Sequence, residues 1–474
     1  MIIDLQEQCN LAIQKLEKTE SRQDLEQAED IFNALLNIDD GAAEIYFYLG
    51  TVFIKKKYYV LAEKMFRLAN ECNDKLFCVW NNLGYVLREN RKKVEAREAF
   101  KKAIELNPKD SDCFMNLGGV HIASGEPEKA IEYSTKALDL NPENQHALWN
   151  RALAYFEKGE YTKGWSDYDA GVRTRDRYHR FYQDIDKVPL WDGTKGKTVV
   201  VYGEQGIGDE IMFASMIPDV VRDANVIFET HPRLYKIFRD SFPDLQIYGT
   251  RKEKVIHWNK FHKIDYAIPI GSLGKFYRNK TEDFPQIPYL KADPVLNKKM
   301  QDKLNGLGEK CKIGFSWKGG TKPTNDTERH IALHKWLPIF KSINADWISL
   351  QYKDGAEEEI EKFLNTKDAK DNNIKIHHWR DIVDNYDLTC ALVNNLDFVI
   401  SVPQSVVHLS GALGIPTIQL TPKHALWQMG VYGQNMPWYD CVKNIWQDET
   451  LAWEPVIEKA KEDLCNLYQM SIAS

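Results

Sequence analysis

The loop GEQGIGDE at residues 203–210 holds residue types that could do chemistry. It follows the strand-forming run TVVVY and precedes the helix-forming run IMFASMIPDVV. Gly206 and Gly208 would let main chain approach a ligand without a Cβ in the way. A helix beginning at about residue 210 would turn its N–H groups and positive dipole end toward the same place. Asp209 is then either a helix N-cap or a general base that takes a proton from an acceptor hydroxyl.

Two common nucleotide-binding motifs do not fit the sequence. The dinucleotide fingerprint G-x-G-x-x-G fails because Ile211 stands where the third glycine belongs. A Walker A loop fails because Trp191 stands where the first glycine before the GKT at Gly196 belongs, and this GKT precedes the strand. A dehydrogenase and a P-loop ATPase are therefore disfavoured.

Composition excludes further classes. The net charge of −7 gives no electrostatic reason to expect nucleic-acid binding. The eight cysteines form no C-x-x-C pair, so we expect reduced thiols in a cytoplasmic protein. No run approaches a membrane span, and the start of the chain is not a signal peptide. The D-x-D triplets at residues 110–112, 167–169 and 184–186 do not follow sheet strands, so we expect no metal site.

A period of 34 residues runs through the first third of the chain. WNNLGYVLRENRKKVEAREAFKKAIELNP matches the tetratricopeptide pattern, and the pattern returns on either side. Small residues let the two helices of one repeat cross closely, and large residues fill the gap to the next repeat. We predict an α-solenoid of tetratricopeptide repeats over residues 1–175, with a concave side that binds a peptide.

Asn82, Asn116 and Asn150 recur at one phase of the repeat. A carboxamide both donates and accepts, which suits a peptide backbone, so we predict acceptor or peptide binding by these three side chains. The array with this asparagine column resembles the solenoid of O-GlcNAc transferase. The alternative is that asparagine is simply frequent at this repeat position.

The rest of the chain alternates short apolar runs with helical stretches, which is typical of parallel sheets flanked by helices. We predict a connector at residues 176–196 and two Rossmann-like α/β halves at residues 197–300 and 301–474. Ligands of such sheets lie at the carboxyl ends of the strands, and in two facing halves they lie in the cleft between them.

Six segments, in order, carry a second resemblance: PLWDG, EQGIGDEIMFA, GFSWKGG, ISLQ, NNLDFVISVPQSVVHLSGALGIP and PWY. They resemble the catalytic region of tetratricopeptide proteins related to bacterial heptosyltransferases, which have the GT-B fold. The resemblance implies transfer of a sugar from a nucleotide-diphosphate donor without a metal or other cofactor. It implies an acceptor-side first half and a nucleotide-sugar-side second half.

The resemblance also implies residue roles. Asp209 matches the acid near the acceptor, Lys318 and Arg329 lie where the family neutralises donor phosphates, and Asp384 matches an acid near the nucleoside. The helix that carries His408 would turn its first residue, Ser405, toward the diphosphate, and His408 itself would point at the diphosphate and bind the donor. Further residues predicted to bind the donor are Gly206, Gly208, Ser316, Gln351 and Gln404.

Each of these assignments has a structural alternative. His408 would otherwise be a core histidine, Lys318 a solvated turn residue, Arg329 a surface ion-pair residue and Gln351 a strand-end hydrogen-bond partner. The family usually has Asp-Thr where this chain has Pro403 and Gln404, and this removes an acid and a hydroxyl that could contact the donor.

Two functions follow. The first is an inverting glycosyltransferase whose solenoid recruits a protein or glycan acceptor, and the second is a catalytically silent scaffold for protein–protein interaction. The first requires that residues 203–210 and the amino end of the His408 helix face each other across one crevice that holds a sugar diphosphate. An oligomer is compatible with either function.

Overall fold

The computed structural model describes residues 10, 12–14, 16, 21–38, 42–174, 188–320, 326–352 and 354–473. The chain separates into two compact units, Met1–Ala154 and Tyr155–Ser474. Most of the predicted connector lies outside the described residues, and the predicted domain boundaries stay predictions.

The first unit is built from helices that pack in consecutive pairs. The helices are α1 (Arg22–Leu36), α2 (Ala43–Lys55), α3 (Tyr59–Cys72), α4 (Phe77–Glu89), α5 (Lys93–Leu106), α6 (Ser111–Ile122), α7 (Pro127–Leu140) and α8 (Gln145–Glu157). Helix α8 begins in this unit and ends in the second.

Small and large residues of the repeat meet as the pattern requires. A Cβ on Gly50 of α2 would lie 2.6 Å from the ring of Phe66 on α3. A Cβ on Gly84 of α4 would likewise lie 2.6 Å from the ring of Phe100 on α5. The glycine therefore sets how closely the paired helices approach, and the phenylalanine fills the space between them.

The second unit contains the end of α8, fourteen further helices and ten strands among the described residues. The helices are α9 (Tyr161–Tyr168), α10 (Ala170–Arg173), α11 (Ile207–Ala214), α12 (Ile217–Asp223), α13 (Tyr235–Ser241), α14 (Gly274–Tyr277), α15 (Pro294–Asn305), α16 (Leu337–Phe340), α17 (Ala356–Leu364), α18 (Lys367–Asp371), α19 (Arg380–Val383), α20 (Tyr386–Val393), α21 (Ser405–Leu413) and α22 (Glu454–Ala473). The strands are β1 (Thr198–Tyr202), β2 (Asn225–Glu229), β3 (Gln246–Tyr248), β4 (Tyr266–Pro269), β5 (Cys311–Ser316), β6 (Ala345–Ser349), β7 (Ile376–His378), β8 (Phe398–Ser401), β9 (Thr417–Thr421) and β10 (Val442–Trp446).

These strands form two sheets, and each pairing within them is parallel. The first sheet has the order β3-β2-β1-β4 and the second the order β10-β9-β8-β5-β6-β7. Counted from β5, the second order is that of the Rossmann fold. In both sheets the strand order reverses beside the first strand, so the crevices are expected after β1 and after β5. The predicted parallel α/β character is confirmed.

Apolar side chains alternate along the second sheet. Ile313, Phe315 and Trp317 project to the face that packs on Trp336, Phe340 and Trp347. Ser316 and Ser401 are the last residues of β5 and β8, pair in register and project from the opposite face. The carboxyl edge of this sheet is therefore polar on one face.

An aromatic cluster joins α9 to the loops of the second unit. Trp427, in the short 3-10 helix Trp427–Met429, contacts Phe156, Trp165, Tyr168 and Phe213 with ring centroids 4.5 to 6.2 Å apart. The indole of Trp165 also donates to the Arg278 carbonyl at 2.6 Å. Trp427 is therefore a packing residue.

Candidate functional site

The loop after β1 has a strained backbone that two neighbours hold. Gln205 adopts φ 55°, in the left-handed region that residues with a side chain rarely occupy. Its carbonyl accepts from Arg251 Nη2 at 2.5 Å, and its Nε2 donates to the Tyr168 hydroxyl at 2.9 Å. The loop conformation therefore depends on residues far away in sequence.

Glu210 ties this loop to the loops after β2 and β3. It is fully buried and accepts from the Thr230 hydroxyl, from the His231 N–H at 2.8 Å and from Arg251 Nη1 at 2.5 Å. A Cβ on Gly203 would clash with this carboxylate. Glu210 is thus the structural acid of the loop, and its removal would leave the Arg251 charge buried without a partner.

Asp209 lies at the third position of α11 and is half-buried. Its Oδ2 accepts from the Gly206 N–H at 3.0 Å, which is the capping bond of the helix. Its Oδ1 accepts from Gln428 Nε2 at 3.0 Å. Burial raises the pKa of Asp209, while the Gly206 and Gln428 donors act to lower it. The N-cap of the helix is thus Gly206 and not Asp209, which is the acid at the third helical position of the capping box. The raised pKa of this carboxyl also suits a general base.

His408 lies on α21, which begins at Ser405 after Gln404 in an extended conformation. The imidazole is 4% exposed, and its Nδ1 lies 3.4 Å from the Tyr439 hydroxyl. Burial lowers the pKa of His408 to about 4, so the ring is neutral near pH 7. A neutral ring can give a diphosphate one hydrogen bond but no charge.

The two segments predicted to face each other do lie together, in direct contact. A Cβ on Gly208 would stand 3.0 Å from His408 Cδ2 and 3.1 Å from Ser405 Cα. The missing Cβ of Gly208 therefore serves the packing of α11 on α21, and not the approach of a ligand as predicted. Between these atoms there is no space for a diphosphate, so the predicted open crevice is wrong at this point.

Ser316, Lys318 and Gln351 meet at the carboxyl edge of the second sheet. Gln351 Oε1 accepts from the Ser316 hydroxyl at 2.8 Å and from the Lys318 N–H at 3.0 Å, which is the strand-end role considered above. The Lys318 ammonium is paired with Glu359, which also accepts from the Trp317 indole at 2.8 Å. The lysine charge is thus directed toward α17.

Arg329 is nearly buried and lies against the residue before Gln404. Its Nη1 donates to the Pro403 carbonyl at 3.4 Å. Gly319 and Gly320 lack the Cβ atoms that would clash with Pro403 and with the Arg329 guanidinium. A cavity of about 10 Å³, room for roughly one water, is lined here by Glu328, Arg329, Pro403, Pro422, His424, Ala425, Leu426 and Met429.

Asp384 is not among the residues that meet at this edge. It is exposed and forms an ion pair with Arg380 Nε at 2.6 Å on the same helical turn. Arg380 also pairs with Asp354 at 2.7 Å. The structure thus gives Asp384 a surface ion pair, and its predicted role near a nucleoside gains no support.

The repeat asparagines bond to the preceding repeat. Asn116 Nδ2 donates to Asn81 Oδ1 at 3.1 Å, and Asn150 Nδ2 donates to the Met115 carbonyl at 3.0 Å. Asn82 is half-buried in α4. At two of the three positions one amide N–H therefore holds adjacent repeats together, and the predicted peptide binding by these residues stays a prediction.

Sequence reasoning missed Gln428, Arg251 and Tyr168. Gln428 stands 219 positions from Asp209, and Arg251 stands 41 from Glu210. No local pattern marks either residue, because their contacts arise only when the sheets are assembled. The one signal was Glu210 itself, an acid that directly precedes the apolar run IMFA.

No group of three or more His, Cys, Asp or Glu side chains in the described part of the chain is arranged to hold a metal ion. None of the described helices is both long and apolar enough to cross a membrane.

Tetratricopeptide repeat family models match residues 77–110 and 115–176. Tetratricopeptide repeats are therefore confirmed over these residues. Such arrays form helical solenoids, and the family's repeats suggest a protein partner.

Protein FlbA of Caulobacter vibrioides (strain ATCC 19089 / CIP 103742 / CB 15) is 26% identical over 333 residues. The match spans 65% of this chain and 53% of that protein. The chain thus spans about half the length of this curated relative.

Solved structures of repeat proteins show a further likeness. Pseudomonas aeruginosa pilF is 22% identical, with a TM-score of 0.34, over 46% of this chain and 85% of that one. YrrB, a TPR protein with an unusual peptide-binding site, is 23% identical, with a TM-score of 0.30, over 35% of this chain and 84% of that one. MamA from Desulfovibrio magneticus RS-1 is 17% identical, with a TM-score of 0.31, over 36% of this chain and 93% of that one.

Proposed function

We propose that the second unit is a glycosyltransferase of the GT-B class, inverting and independent of a metal. It would move a sugar from a nucleotide-diphosphate donor to an acceptor hydroxyl. The observation that carries this proposal is the position of Asp209 where the carboxyl edges of two parallel sheets meet, held across the joint by Gln428. Ligands of doubly wound sheets bind at such edges. Of the heptosyltransferase-like motifs, EQGIGDEIMFA follows β1, and GFSWKGG, ISLQ and the segment with VPQSVVHL reach the carboxyl ends of β5, β6 and β8.

Asp209 would act as the general base. Its carboxylate takes the proton of the acceptor hydroxyl while the hydroxyl oxygen attacks the anomeric carbon. The bond from that carbon to the phosphate oxygen breaks, and the nucleoside diphosphate leaves with the electron pair. A carboxyl whose pKa burial raises is a stronger base than an exposed one.

The leaving diphosphate gains negative charge, so preorganised donors are needed beside it. The first N–H groups of α21, the Ser405 hydroxyl and Arg329 are the groups of this chain that could supply them. Lys318 would contribute only after leaving Glu359. Ligand pockets usually enclose about 300 Å³ or more, so the halves would have to move apart at the joint to admit a donor.

The solenoid would recruit the acceptor, which we propose to be a protein or a protein-bound glycan. The repeats indicate a protein partner, and the chain's eight cysteines without paired spacing fit a reducing cytoplasm.

The test combines binding with turnover. The full chain is incubated with UDP-, ADP-, GDP- and dTDP-sugars, thermal midpoints are measured, and hydrolysis or transfer is followed by mass spectrometry. One donor should raise the midpoint by mass action. Asp209→Asn should abolish transfer while the midpoint shift persists, and the exposed control Asp244→Asn should retain both. Transfer at the parent rate by Asp209→Asn would refute the base assignment.

A catalytically silent scaffold is the second candidate. The closed contact at Gly208, the paired Lys318 and the Pro403–Gln404 sequence favour it. It predicts that no donor changes the thermal midpoint, while a partner binds the solenoid with equal affinity in Asp209→Asn and in the parent chain.

A further inference from the structure

A row of buried polar side chains crosses the second sheet. Ser316 on β5 is in register with Ser401 on β8, Ser401 with Gln419 on β9, and Gln419 with Asn444 on β10. Each of the four is at most 8% exposed. Because register partners of parallel strands project to the same face, these four residues form one row, here named the polar belt.

Such a row opposes stability. Strands of a parallel sheet covered on both faces are normally apolar throughout. Burying an amide costs free energy unless its hydrogen bonds are replaced. Within the belt, Gln419 Nε2 donates to Asn444 Oδ1 at 2.8 Å and Asn444 Nδ2 donates to the Met429 carbonyl at 2.7 Å, so part of this cost is offset. Buried polar atoms without a partner are the ones that call for an explanation.

Two glutamines above the belt have amide orientations that their neighbours determine. Gln351 Oε1 accepts two hydrogen bonds, so Nε2 points the other way, and it has no partner within the described residues. Gln404 Nε2 donates to Ser401 Oγ at 3.2 Å, while the Ser401 hydroxyl donates to the Val402 carbonyl. Gln404 Oε1 consequently has no hydrogen-bond partner among the residues that the structure describes.

The two unpartnered atoms have opposite hydrogen-bonding character. Their glutamines bond to Ser316 and Ser401, which stand on adjacent strands about 5 Å apart. Gln351 supplies a donor and Gln404 an acceptor, and they are 1% and 7% exposed. Neither carries a charge.

The small cavity beside Arg329 lies next to this pair. Pro403 lines the cavity and precedes Gln404 in the chain. Met429 also lines it, and the Met429 sulfur lies 3.1 Å from Gln419 Nε2 in the belt. A methionine side chain adapts its shape readily, so this wall can yield to a larger group.

We propose that Gln351 and Gln404 bind a vicinal diol, that is, two neighbouring sugar hydroxyls, at the crevice between β5 and β8. One hydroxyl accepts from Gln351 Nε2 and the other donates to Gln404 Oε1. A diphosphate does not fit this pair, because its oxygens only accept and the Gln404 carbonyl would repel them. The diol comes either from the ribose of the donor or from the sugar that is transferred, and in this sense the inference rests on the proposed function.

The test uses the full chain and probes that separate the sources. Binding of uridine, adenosine and guanosine, their 2′,3′-dideoxy forms, methyl glucoside, methyl galactoside and inorganic pyrophosphate is titrated at millimolar concentration by saturation-transfer NMR. At least one diol probe should bind, and Gln404→Met should weaken it about tenfold. Loss of binding by the dideoxy form identifies the ribose, and binding of a methyl glycoside identifies the transferred sugar.

Folding and the transferase proposal are controlled separately. Gln404→Met removes an unpartnered buried carbonyl, so its thermal midpoint without ligand should equal or exceed that of the parent. Thr417→Val removes a buried hydroxyl of β9 outside the belt and should leave diol binding unchanged. Asp209→Asn should also bind the diol probe as the parent does, so absence of turnover with every donor would leave this inference standing.

Two results would overturn it. In the first, no diol probe binds while the variant is folded. In the second, Gln404→Met weakens pyrophosphate as strongly as it weakens the diol.

Discussion

At the residue scale, Asp209 is a carboxylate held from both sides. One oxygen accepts from the backbone of its own loop and the other from Gln428, which belongs to the opposite half of the second unit. Gln428 is 6% exposed and follows Trp427, whose ring packs against five other aromatic side chains. The amide therefore has little freedom to move, and it is a positioning residue for Asp209.

Replacing Gln428 by leucine should raise the pKa of Asp209. The lost N–H donor favours the ionised carboxylate, and one hydrogen bond to a charged group corresponds to roughly one pH unit. Titration of the Asp209 carboxyl by carbon NMR measures the shift, and the acidic limb of the transfer rate should move to higher pH with it. The exposed Gln434→Leu is the matched control. An unchanged Asp209 titration in Gln428→Leu would show that the contact does not form in solution.

His408 predicts an acid sensitivity of the fold. Its pKa is depressed from 6.5 to about 4, so its contribution to stability is complete above pH 6.5 and is lost as the pH falls toward 4. At pH 5 the unfolded chain is protonated at this residue while the folded chain is not, which costs about 2 kcal/mol. Urea unfolding at pH 7.5 and 5.0 should show that His408→Gln loses less stability between the two values than the parent. Equal losses would contradict the neutral buried ring.

At the element scale, pairs of helices in the solenoid approach through glycine, and two short helices of the second unit do the same at Gly208. In both units the missing Cβ of a glycine allows two helices to pack closely, within a repeat in the first unit and between α11 and α21 in the second. Whether alanine can replace a glycine depends on which side chain faces that glycine, and not on how many glycines the helix contains.

Gly84→Ala should destabilise the solenoid. The new Cβ would lie 2.6 Å from the Phe100 ring, and overpacking costs about 1–3 kcal/mol, against a gain of up to about 1 kcal/mol in helix propensity. Gly119→Ala on α6 is the control, because its Cβ would meet nothing closer than 3.4 Å. Urea unfolding should give a loss of about 1–2 kcal/mol for the first variant and no loss for the second. A neutral Gly84→Ala would show that α4 and α5 are not in close contact.

At the scale of the whole molecule, the last helices matched by the repeat model belong to the second compact unit. Phe156, Trp165 and Tyr168 pack on Trp427, and Tyr161 contacts Phe284 at 5.1 Å between ring centroids. Sequence periodicity therefore extends past the point at which contacts divide the chain.

A fragment of residues 144–474 should fold and a fragment of residues 175–474 should not. The shorter fragment lacks the packed side chains of Phe156, Tyr161, Trp165 and Tyr168. Their burial contributes roughly 6 kcal/mol or more, which is a large part of the stability of a typical domain. Asn144 would begin the longer fragment at a natural cap, where it accepts from the Ala147 N–H at 3.1 Å. Circular dichroism and thermal unfolding measure the outcome. Cooperative unfolding of both fragments at the same midpoint would disprove a structural role for α9.

Much of the fold could be predicted because local sequence patterns indicate it. The 34-residue repeat, the glycine–phenylalanine pairs and the apolar strands separated by helical stretches each follow from the spacing of neighbouring residues. The same reasoning identified the corner at Asp209 and the helix of His408, since a strand, a turn and a helix start are short-range features.

The sequence by itself determined the repeats, the parallel sheets and the residues that gather at their edges. The tertiary structure alone decided that Gly208 touches Ser405, that Lys318 pairs with Glu359, that Asp384 stays at the surface and that Gln428 holds Asp209. The physical reason is range: helix and strand propensities act over a few residues, whereas the contacts of Gly208, Lys318 and Gln428 join residues from 41 to 219 positions apart and arise only from packing. Only Asp384, paired with Arg380 on its own helical turn, lay within reach of a local pattern.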